Sequence, residues 1–329
     1  MQSDKRIGVL FNRKPDVRTF AHDSRLPIPD KYVGIEIEAE NIPLSNEYLS
    51  TILNYWEVVT DGSLRNYGTE FVSSMLRGSD ISAALVELNQ ALADNNMVPD
   101  FTDRTSVHIH IDGRFSTAPH LRLLVLYYLM YEPLLFSYVG KDRENNPFCV
   151  PFYKNTNGIN NLAILFKDDF VFERVIPVVR GSTKYEAMNL RSLQEKGSIE
   201  FRAHYGTLNI EEIFNWIKIL LTLFRLAKET SEESFFSSLY NTSYEERTIE
   251  IRNLFLRTPG IDLNRCDTLA NESIAKLLLY SKNTRSAWDE MSKHWGRGVV
   301  TSSIAPPTGG VLIQEETQSQ IISNEEEDF

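Results

Sequence analysis

Acidic and imidazole side chains recur at alternate positions in four segments of the chain, with apolar residues between them. The residues concerned are Glu36 and Glu38, Glu70, His108 and His110, and Glu200 and Arg202. Alternation of this kind predicts β-strands, in which both members of a pair lie on one face, about 6.5–7 Å apart. Two carboxylates held that close repel each other unless they face water or have cations between them.

Each of these patterns has an ordinary explanation when it is taken alone. Glu-x-Glu is typical of a solvated strand face, His-x-His is often incidental, and Glu-x-Arg is typical of a surface ion pair worth about 0–1 kcal/mol. Four polar faces opposite strongly apolar ones, however, favour a single sheet that packs on helices with one face and binds metal with the other. Several Glu together with His suit Mg²⁺ or Mn²⁺, and the number of carboxylates predicts two or more ions.

The same residues suit the handling of a polyphosphate, since two or more ions would lie beside Arg202 and Lys184. The sequence has neither a Walker-type glycine-rich loop nor a G-x-G-x-x-G motif after a strand. A bound nucleotide would therefore be held by metals on a sheet. Cys149 has no neighbouring motif that marks a nucleophile, and His204 shares the strand parity of Glu200.

Strands and helices in mixed order, with short connections, would position these residues. Strands are predicted at 32–40, 55–60, 67–73, 104–112, 185–193 and 198–205, the last two joined by a hairpin at 194–197. Helices are predicted at 79–93, at 118–138 and after residue 209. Ser79 and Asn209 are the predicted N-caps, and Asn209 has Glu212 in capping-box spacing. The order favours an α+β fold with a largely antiparallel sheet.

Composition and charge narrow the class of protein. The 329 residues contain 34 Lys and Arg against 45 Asp and Glu, for a net charge of −11, and about half of that charge belongs to residues 301–329. The remaining body lacks the clustered positive charge of a protein that binds duplex nucleic acid. Two cysteines, no signal-peptide pattern and no apolar run near the roughly 18 residues of a membrane span predict a cytoplasmic protein.

Seven short motifs, in their order along the chain, resemble the amidoligase family of carboxylate–amine ligases, part of the glutamine synthetase and glutamate–cysteine ligase superfamily. They are GIEIE at 34–38, DGSL at 61–64, GTEFVS at 68–73, VHIH at 107–110, NLR at 189–191, SIEFR at 198–202 and GTL at 206–208. The resemblance implies a curved, largely antiparallel sheet of the glutamine synthetase-like kind. Its concave face would hold ATP and two or more Mg²⁺ or Mn²⁺ ions, with helices on the other face.

The resemblance also implies a role for each matched residue. Those expected to bind metal are Glu36, Glu38, Glu70, His108 and Glu200. Those expected to contact the nucleotide or its phosphates are His110, Lys184, Asn189 and Arg202. Those expected to act in catalysis are Arg202, Glu70 and Arg191, with Arg202 stabilising the transferring phosphoryl group.

The implied reaction joins a carboxylate to an amine or to ammonia through an acyl phosphate formed from ATP. Small molecules or peptides would supply the acid and the amine. Because no glutaminase Cys–His arrangement is visible, ammonia would come free or from a separate amidotransferase subunit. Two alternatives stay open at this point: a metal-dependent hydrolase that uses the same Glu and His face, and a non-catalytic, ligase-like binding module.

The chain accordingly divides into four predicted regions. They are an N-terminal arm at 1–30, an amidoligase catalytic domain at 31–230, a C-terminal helical extension at 231–296 and an acidic, disordered tail at 297–329. An acyl phosphate hydrolyses unless water is excluded, and the predicted long loop at 141–158 is the candidate lid.

Overall fold

One antiparallel sheet is the frame of the described part of the chain, which comprises residues 5–11, 23–167, 172–256 and 260–282 of the computed structural model. The strands are β1 (Val33–Ala39), β2 (Trp56–Val59), β3 (Thr69–Ser73), β4 (Ser106–Asp112), β5 (Met188–Asn189) and β6 (Ser198–Tyr205). They lie in the order β2-β3-β1-β4-β6-β5, and every neighbouring pair is antiparallel. The α+β class and the antiparallel sheet are thereby confirmed.

Helices precede, connect and follow these strands. They are α1 (Ile7–Leu10), α2 (Asn46–Ile52), α3 (Asp80–Asp94), α4 (Ala118–Val139), α5 (Lys141–Glu144), α6 (Thr156–Ala163), α7 (Val175–Gly181), α8 (Ser192–Glu195), α9 (Ile210–Glu229), α10 (Glu232–Asn241), α11 (Tyr244–Arg252) and α12 (Leu263–Lys282). Short 3₁₀ turns occupy Phe152–Lys154, Ile164–Phe166 and Phe172–Arg174.

The apolar face of the sheet packs against α4 and α9. Alternate residues of β1 and β4, such as Ile35 and Ile109, are fully buried, and α9 contacts β4 while α4 contacts β6. The stripe of α9 at helical spacing is buried at every position: Ile213, Ile217, Leu220, Phe224 and Ala227. Apolar residues at every second position of the strands pack against apolar residues spaced about 3.6 apart on the helices. The charged residues of the strands therefore lie on the other face of the sheet.

The segment 141–158 is more ordered than the predicted loop, which is a correction. It contains α5, a 3₁₀ turn and the beginning of α6. The buried Arg143 donates hydrogen bonds to the carbonyl oxygens of Arg202 and Ala203, and Cys149 and Phe152 are also buried. The polar composition of this segment predicts a loop. It does not reveal the hydrogen bonds that hold the segment in place, because Arg143 bonds to the backbone of a residue 60 positions away.

The connection into β6 also differs from the predicted hairpin of two long strands. In the predicted strand 185–193 only Met188–Asn189 forms a strand, and the helix α8 takes the place of its end and of the first half of the predicted turn. The amide groups of Lys196 and Gly197 both donate to the carbonyl oxygen of Ser192, and Gly197 has a φ of 78°. A glycine in the left-handed region ends a helix readily, so this short turn is stable where a hairpin was predicted.

The two predicted N-caps behave differently. Asn209 accepts a hydrogen bond from the Glu212 amide, as predicted, although the Glu212 carboxylate bonds to Tyr205 Oη at 3.0 Å instead of closing a capping box. Ser79 stands at the N-cap of α3, but its backbone is helical and its side chain makes no capping hydrogen bond. An N-cap side chain reaches the helix amides from an extended backbone, which Ser79 lacks.

A β-bulge in β6 changes the parity of the strand. Residues Val107 and Ile109 of β4 pair with His204 and Phe201, so one extra residue is inserted on β6. His204 therefore lies on the apolar face, fully buried and against Trp216, instead of beside Glu200. Alternation in the sequence predicts His204 and Glu200 on the same face of the sheet, and the bulge places them on opposite faces.

The described part of the predicted extension packs on the sheet-covering helices. Helix α12 contacts α4 and α6, and Tyr244 Oη donates to the carbonyl oxygen of Met130 at 3.0 Å. The predicted tail at 297–329, and parts of the predicted arm and extension, lie outside the described residues. Within the described ranges, no helix combines the length and the apolarity needed to cross a membrane.

Candidate metal centre

Strand register brings the predicted site residues together on the polar face of the sheet. Glu36 pairs with His108 across β1 and β4, and His110 pairs with Glu200 across β4 and β6. Glu38 lies opposite a carboxylate of β3, Glu70. Directly opposed side chains in an antiparallel pair have Cβ atoms about 4.5–5.5 Å apart, so four strands, β1, β3, β4 and β6, converge on one cluster.

Burial decides between the two explanations of the polar face. His108 is 2% exposed, and Glu36, Glu38, His110 and Glu200 are between 5% and 6% exposed. A solvated strand face would leave these side chains in water. Buried carboxylates instead require partners, because an uncompensated buried charge costs several kcal/mol.

Glu36 is at the centre of the cluster. Its Oε2 lies 3.2 Å from His108 Nδ1, and its Oε1 lies 3.0 Å from His110 Nε2. Lys196, at the end of α8, donates from Nζ to the same Oε1 at 2.5 Å. A residue larger than glycine at position 34, opposite His110, would bring a Cβ within 3.3 Å of the His110 Cβ. Gly34 therefore leaves room for this imidazole.

Glu200 is held from three sides. Arg202 Nη1 donates to Glu200 Oε1, and Asn189 Nδ2 donates to Oε2 at 2.6 Å. The same Oε1 lies 3.6 Å from His108 Nδ1 and 3.9 Å from His110 Nε2. Both imidazoles thus lie between the carboxylates of Glu36 and Glu200.

Serine hydroxyls orient the two imidazoles and one carboxylate. Ser106 Oγ donates to Glu38 Oε2 at 2.5 Å and lies 2.7 Å from His108 Nε2. Ser198 Oγ lies 2.9 Å from His110 Nδ1. These contacts fix the ring planes of both histidines, so that His110 Nε2 and His108 Nδ1 face Glu36.

The electrostatics of the cluster separate its carboxylates. Burial raises the pKa of Glu36, but the neighbouring imidazoles of His108 and His110 outweigh it and hold that pKa well below its usual range. Burial also raises the pKa of Glu200, but the charges of His110 and Arg202 outweigh it, so that pKa is lowered. Burial and the charges of Glu36 and Glu38 raise the pKa of Glu70 to about 8. Without a cation beside it, Glu70 therefore mostly keeps its proton at neutral pH.

The donor set fits a hard divalent cation. Two groups of side chains, Glu36 with His110 and Glu200, and Glu36 with Glu70 and His108, each bring one possible ligand atom per residue within 4.8 Å of the others. The buried His110 Nε2 has no hydrogen-bond partner of acceptable geometry among the described residues. Carboxylate oxygens with imidazole nitrogens are ligands for Mg²⁺ and Mn²⁺, and Glu36, which belongs to both groups, would be shared by two ions.

A family model matches the stretch of chain that builds this cluster. The family is described as "Putative amidoligase enzyme", and the match covers residues 19–224, well over half of the chain. The chain belongs to this amidoligase family. The matched stretch contains all six strands and α9 nearly to its end. A search of curated proteins gave no match.

Two predicted site residues of this amidoligase lie apart from the cluster. The Lys184 side chain is exposed, with its ammonium 5.1 Å from the centre of the Tyr185 ring. The Arg191 side chain is 54% exposed, and its Nε lies 2.8 Å from Glu195 Oε1. Among the described residues, neither side chain makes a hydrogen bond or an ion pair with Glu36 or Glu200, so their predicted roles stay predictions.

Sequence reasoning missed several residues that the amidoligase site contains. Ser106 shares the strand parity of His108, and Ser198 shares that of Glu200, so alternation alone could have identified both. Lys196 carried no such signal, because it directly follows α8, where a hairpin turn was predicted. Its pairing with Glu36 crosses 160 residues of sequence and depends on the tertiary fold.

An open cavity of about 150 Å³ adjoins the cluster of the amidoligase at the end of the sheet. Glu36, His110, Lys196 and Ser198 form its polar wall, and Val72 and Met75 belong to its apolar wall. A substrate in this cavity would meet the shared carboxylate of the two candidate metal groups. The cavity therefore extends the candidate metal centre to a candidate active site.

Proposed function

We propose that the protein is an ATP-dependent ligase that joins a carboxylate to an amine or ammonia through an acyl phosphate. The observation that supports this most directly is the pair of overlapping ligand groups, buried on one face of the sheet and sharing Glu36, in a chain of the amidoligase family. Two neighbouring cations suit the charge of a nucleoside triphosphate better than one.

The residues that would hold the cations are Glu36, Glu38, Glu70, His108 and Glu200, with His110 between Glu36 and Glu200. When bound, Mg²⁺ or Mn²⁺ would neutralise phosphate oxygens and stabilise the charge that develops during phosphoryl transfer. Lys196 pairs with Glu36 and also lines the cavity, so its ammonium would meet a substrate bound there.

In the first step, an oxygen of the substrate carboxylate attacks the γ-phosphorus of ATP. The bond between that phosphorus and the bridging β–γ oxygen breaks, and ADP leaves. The Arg202 guanidinium contacts the cluster directly, held by Glu200 and by its Nε donation to the Phe148 carbonyl at 3.2 Å. From this position it would stabilise the transferring phosphoryl group electrostatically.

In the second step, the amine attacks the acyl carbon, the carbon–oxygen bond to phosphate breaks, and the amine nitrogen loses a proton. Water must be excluded until then. The exposed residues around Phe148 lie over Arg202, whereas Arg143 and Cys149 on either side are buried. We therefore restrict the proposed lid to residues 145–148, between these anchors.

Calorimetry of nucleotide binding tests the proposal. ATP is titrated into the full chain with Mg²⁺, with Mn²⁺ or with chelator, and the titration is repeated on Glu36→Gln. Glu57→Gln is the matched control, because Glu57 is an exposed carboxylate on β2 of the same sheet. We expect metal-dependent ATP binding in the wild type and the control, and none in Glu36→Gln.

Turnover then tests the reaction class. An ADP-release screen of acids and amines, including ammonia, should show release that rises when the right acid and amine are both present. A folded protein that binds ATP with no metal would contradict the proposed site. Metal-dependent turnover of an amide or phosphate ester without ATP or amine would instead support the hydrolase alternative.

A further inference from the structure

A second cavity, of about 560 Å³, lies beside the active-site cavity and shares Tyr32 and Asp112 with it. Basic side chains surround this second cavity, and its floor is apolar. The basic ones are Arg6, Lys31, Arg77, His120 and Lys228. The floor includes Leu123, Phe224 and Ala227, from α4 and α9. None of these residues belongs to the candidate metal centre.

Carboxylates in its lining balance only part of the positive charge that Arg6, Lys31 and Lys228 bring to the second cavity. Its lining contains only two, Asp30 and Asp112, and Asp112 already binds Arg114, with Oδ1 2.8 Å from Nε. Within the described residues, neither Lys31 nor Lys228 has a carboxylate at ion-pair distance. The charges of Asp112 and Asp30 act on Lys31 in the opposite sense to Lys228, but Arg6, Lys31 and Lys228 outnumber these two carboxylates, and cations in excess repel one another.

Burial of its basic groups makes positive charge in the second cavity still less favourable. Burial lowers the pKa of Lys31 to about 8, and its ammonium lies 5.1 Å from the centre of the Phe224 ring. Burial and the charge of Lys31 lower the pKa of His120 to about 4. Arg6 and Lys228 stand at the exposed rim. An anion seated among these groups would relieve their repulsion.

We propose that the second cavity binds a small organic anion, with a phosphate or carboxylate head and an apolar body. The head would accept hydrogen bonds from Lys31, Lys228 and Arg6, which are stronger to a charged acceptor. The amino-terminal end of α4, at Thr117 and Pro119, also lines the cavity and adds partial positive charge. The body would pack on Phe224 and its apolar neighbours. The site is distinct from the proposed metal centre and does not require ligase activity.

Calorimetry with three probe anions tests this site. Inorganic phosphate, phenyl phosphate and phenylacetate are titrated into the full chain, with chelator present and the ionic strength held constant by NaCl. The variants are Lys31→Gln, the rim variant Lys228→Gln, and Lys218→Gln as a matched control on the same helix, outside this cavity. Glu36→Gln separates the second cavity from the metal centre.

We expect the wild type, Lys218→Gln and Glu36→Gln to bind phenyl phosphate or phenylacetate alike. Lys31→Gln and Lys228→Gln should each bind about tenfold more weakly, since each loses one charge-assisted hydrogen bond. The relative affinities of phenyl phosphate and phenylacetate identify the preferred head. Because Lys228 is exposed, its variant keeps the test valid if Lys31→Gln does not fold.

Three results would overturn the proposal. The first is a folded wild type that binds none of the probe anions, and the second is equal affinity in all of the lysine variants. The third is phenyl phosphate binding no more tightly than inorganic phosphate, which would exclude the apolar contact. Loss of anion binding in Glu36→Gln would place the anion in the metal centre and also count against a separate site.

Discussion

Glu36 is the single residue on which the candidate site depends most. It belongs to both candidate metal groups, contacts both histidines, and accepts a hydrogen bond from Lys196. The histidines and Lys196 keep it ionised although it is buried, so its two oxygens are ready to bind a cation. The carboxylate and the ammonium of Lys196 together form a site in which a metal ion and a lysine compete for one oxygen.

Replacement of Lys196 tests this competition. Lys196→Gln should bind Mg²⁺ about fivefold more tightly, because one positive charge beside the metal is removed. The metal-free variant should lose about 1 kcal/mol or less of unfolding free energy, since the lysine side chain is 53% exposed. Mg²⁺ calorimetry and urea unfolding with chelator measure the two effects. Lys141→Gln, an exposed lysine on α5, is the control, and weaker Mg²⁺ binding in Lys196→Gln would contradict the competition.

Glu132 is a buried carboxyl group on the opposite side of the sheet from the metal centre. It is 0% exposed on α4, and Tyr153 donates its amide to Oε2 at 3.3 Å. Burial raises its pKa to about 8, against the lowering effect of the Phe152 and Tyr153 amides. Between an unfolded pKa near 4.5 and about 8, the unfolded chain therefore binds fewer protons than the folded one.

The free energy of unfolding should therefore fall as the pH rises through this window, by up to about 1.4 kcal/mol per pH unit from Glu132. Glu132→Gln removes that contribution, so the variant should gain stability over the wild type as the pH rises from about 5 to about 8. Urea unfolding at both pH values measures the difference, with Glu57→Gln as the exposed control. Parallel pH dependence in wild type and Glu132→Gln would show that Glu132 ionises normally in the folded protein.

At the scale of elements, the site is assembled by strand register and by the ends of helices. Register alone pairs Glu36 with His108 and His110 with Glu200. The end of α8 then brings Lys196 to the cluster, while the beginning of α4 and the end of α9 position walls of the second cavity. The motifs on β1 and β4 were predictable because alternation defines one face, but the bulge in β6 removed His204 from it.

The helix caps allow a matched comparison. Asn209→Ala should lower the free energy of unfolding by about 1 kcal/mol, because the Glu212 amide loses its acceptor. Ser79→Ala should have almost no effect, since Ser79 makes no capping hydrogen bond although it holds the same position at α3. Urea unfolding of both variants distinguishes them. Equal losses would mean that both side chains cap their helices in solution.

At the scale of the whole molecule, α4 is covered by other elements on both of its sides. It is buried around most of its circumference, between the sheet and α9 on one side and α12 on the other. Such a helix cannot remain in water on either face. The described part of 231–296 is therefore part of the core that supports the amidoligase sheet, although the family match ends at residue 224.

A substitution in α12 tests this dependence. Leu277→Ala should lower the free energy of unfolding of the whole molecule by about 2–5 kcal/mol, because Leu277 is fully buried in the common core. Lys276→Ala, its partly exposed neighbour, should cost far less. Circular dichroism and intrinsic fluorescence during denaturation should show one shared transition. A separate transition for the extension would contradict the shared core.

The sequence by itself determined which face of each strand is polar, the α+β class, and the amidoligase motifs that the family match covers. These are local properties, since alternation and capping depend on neighbours only a few residues apart. Only the tertiary structure decided that the polar face is buried, that Lys196 pairs with Glu36, and that Lys31 and Lys228 share a cavity. These pairings join residues distant in sequence, so they depend on register, a bulge and helix packing, which one-dimensional spacing does not encode.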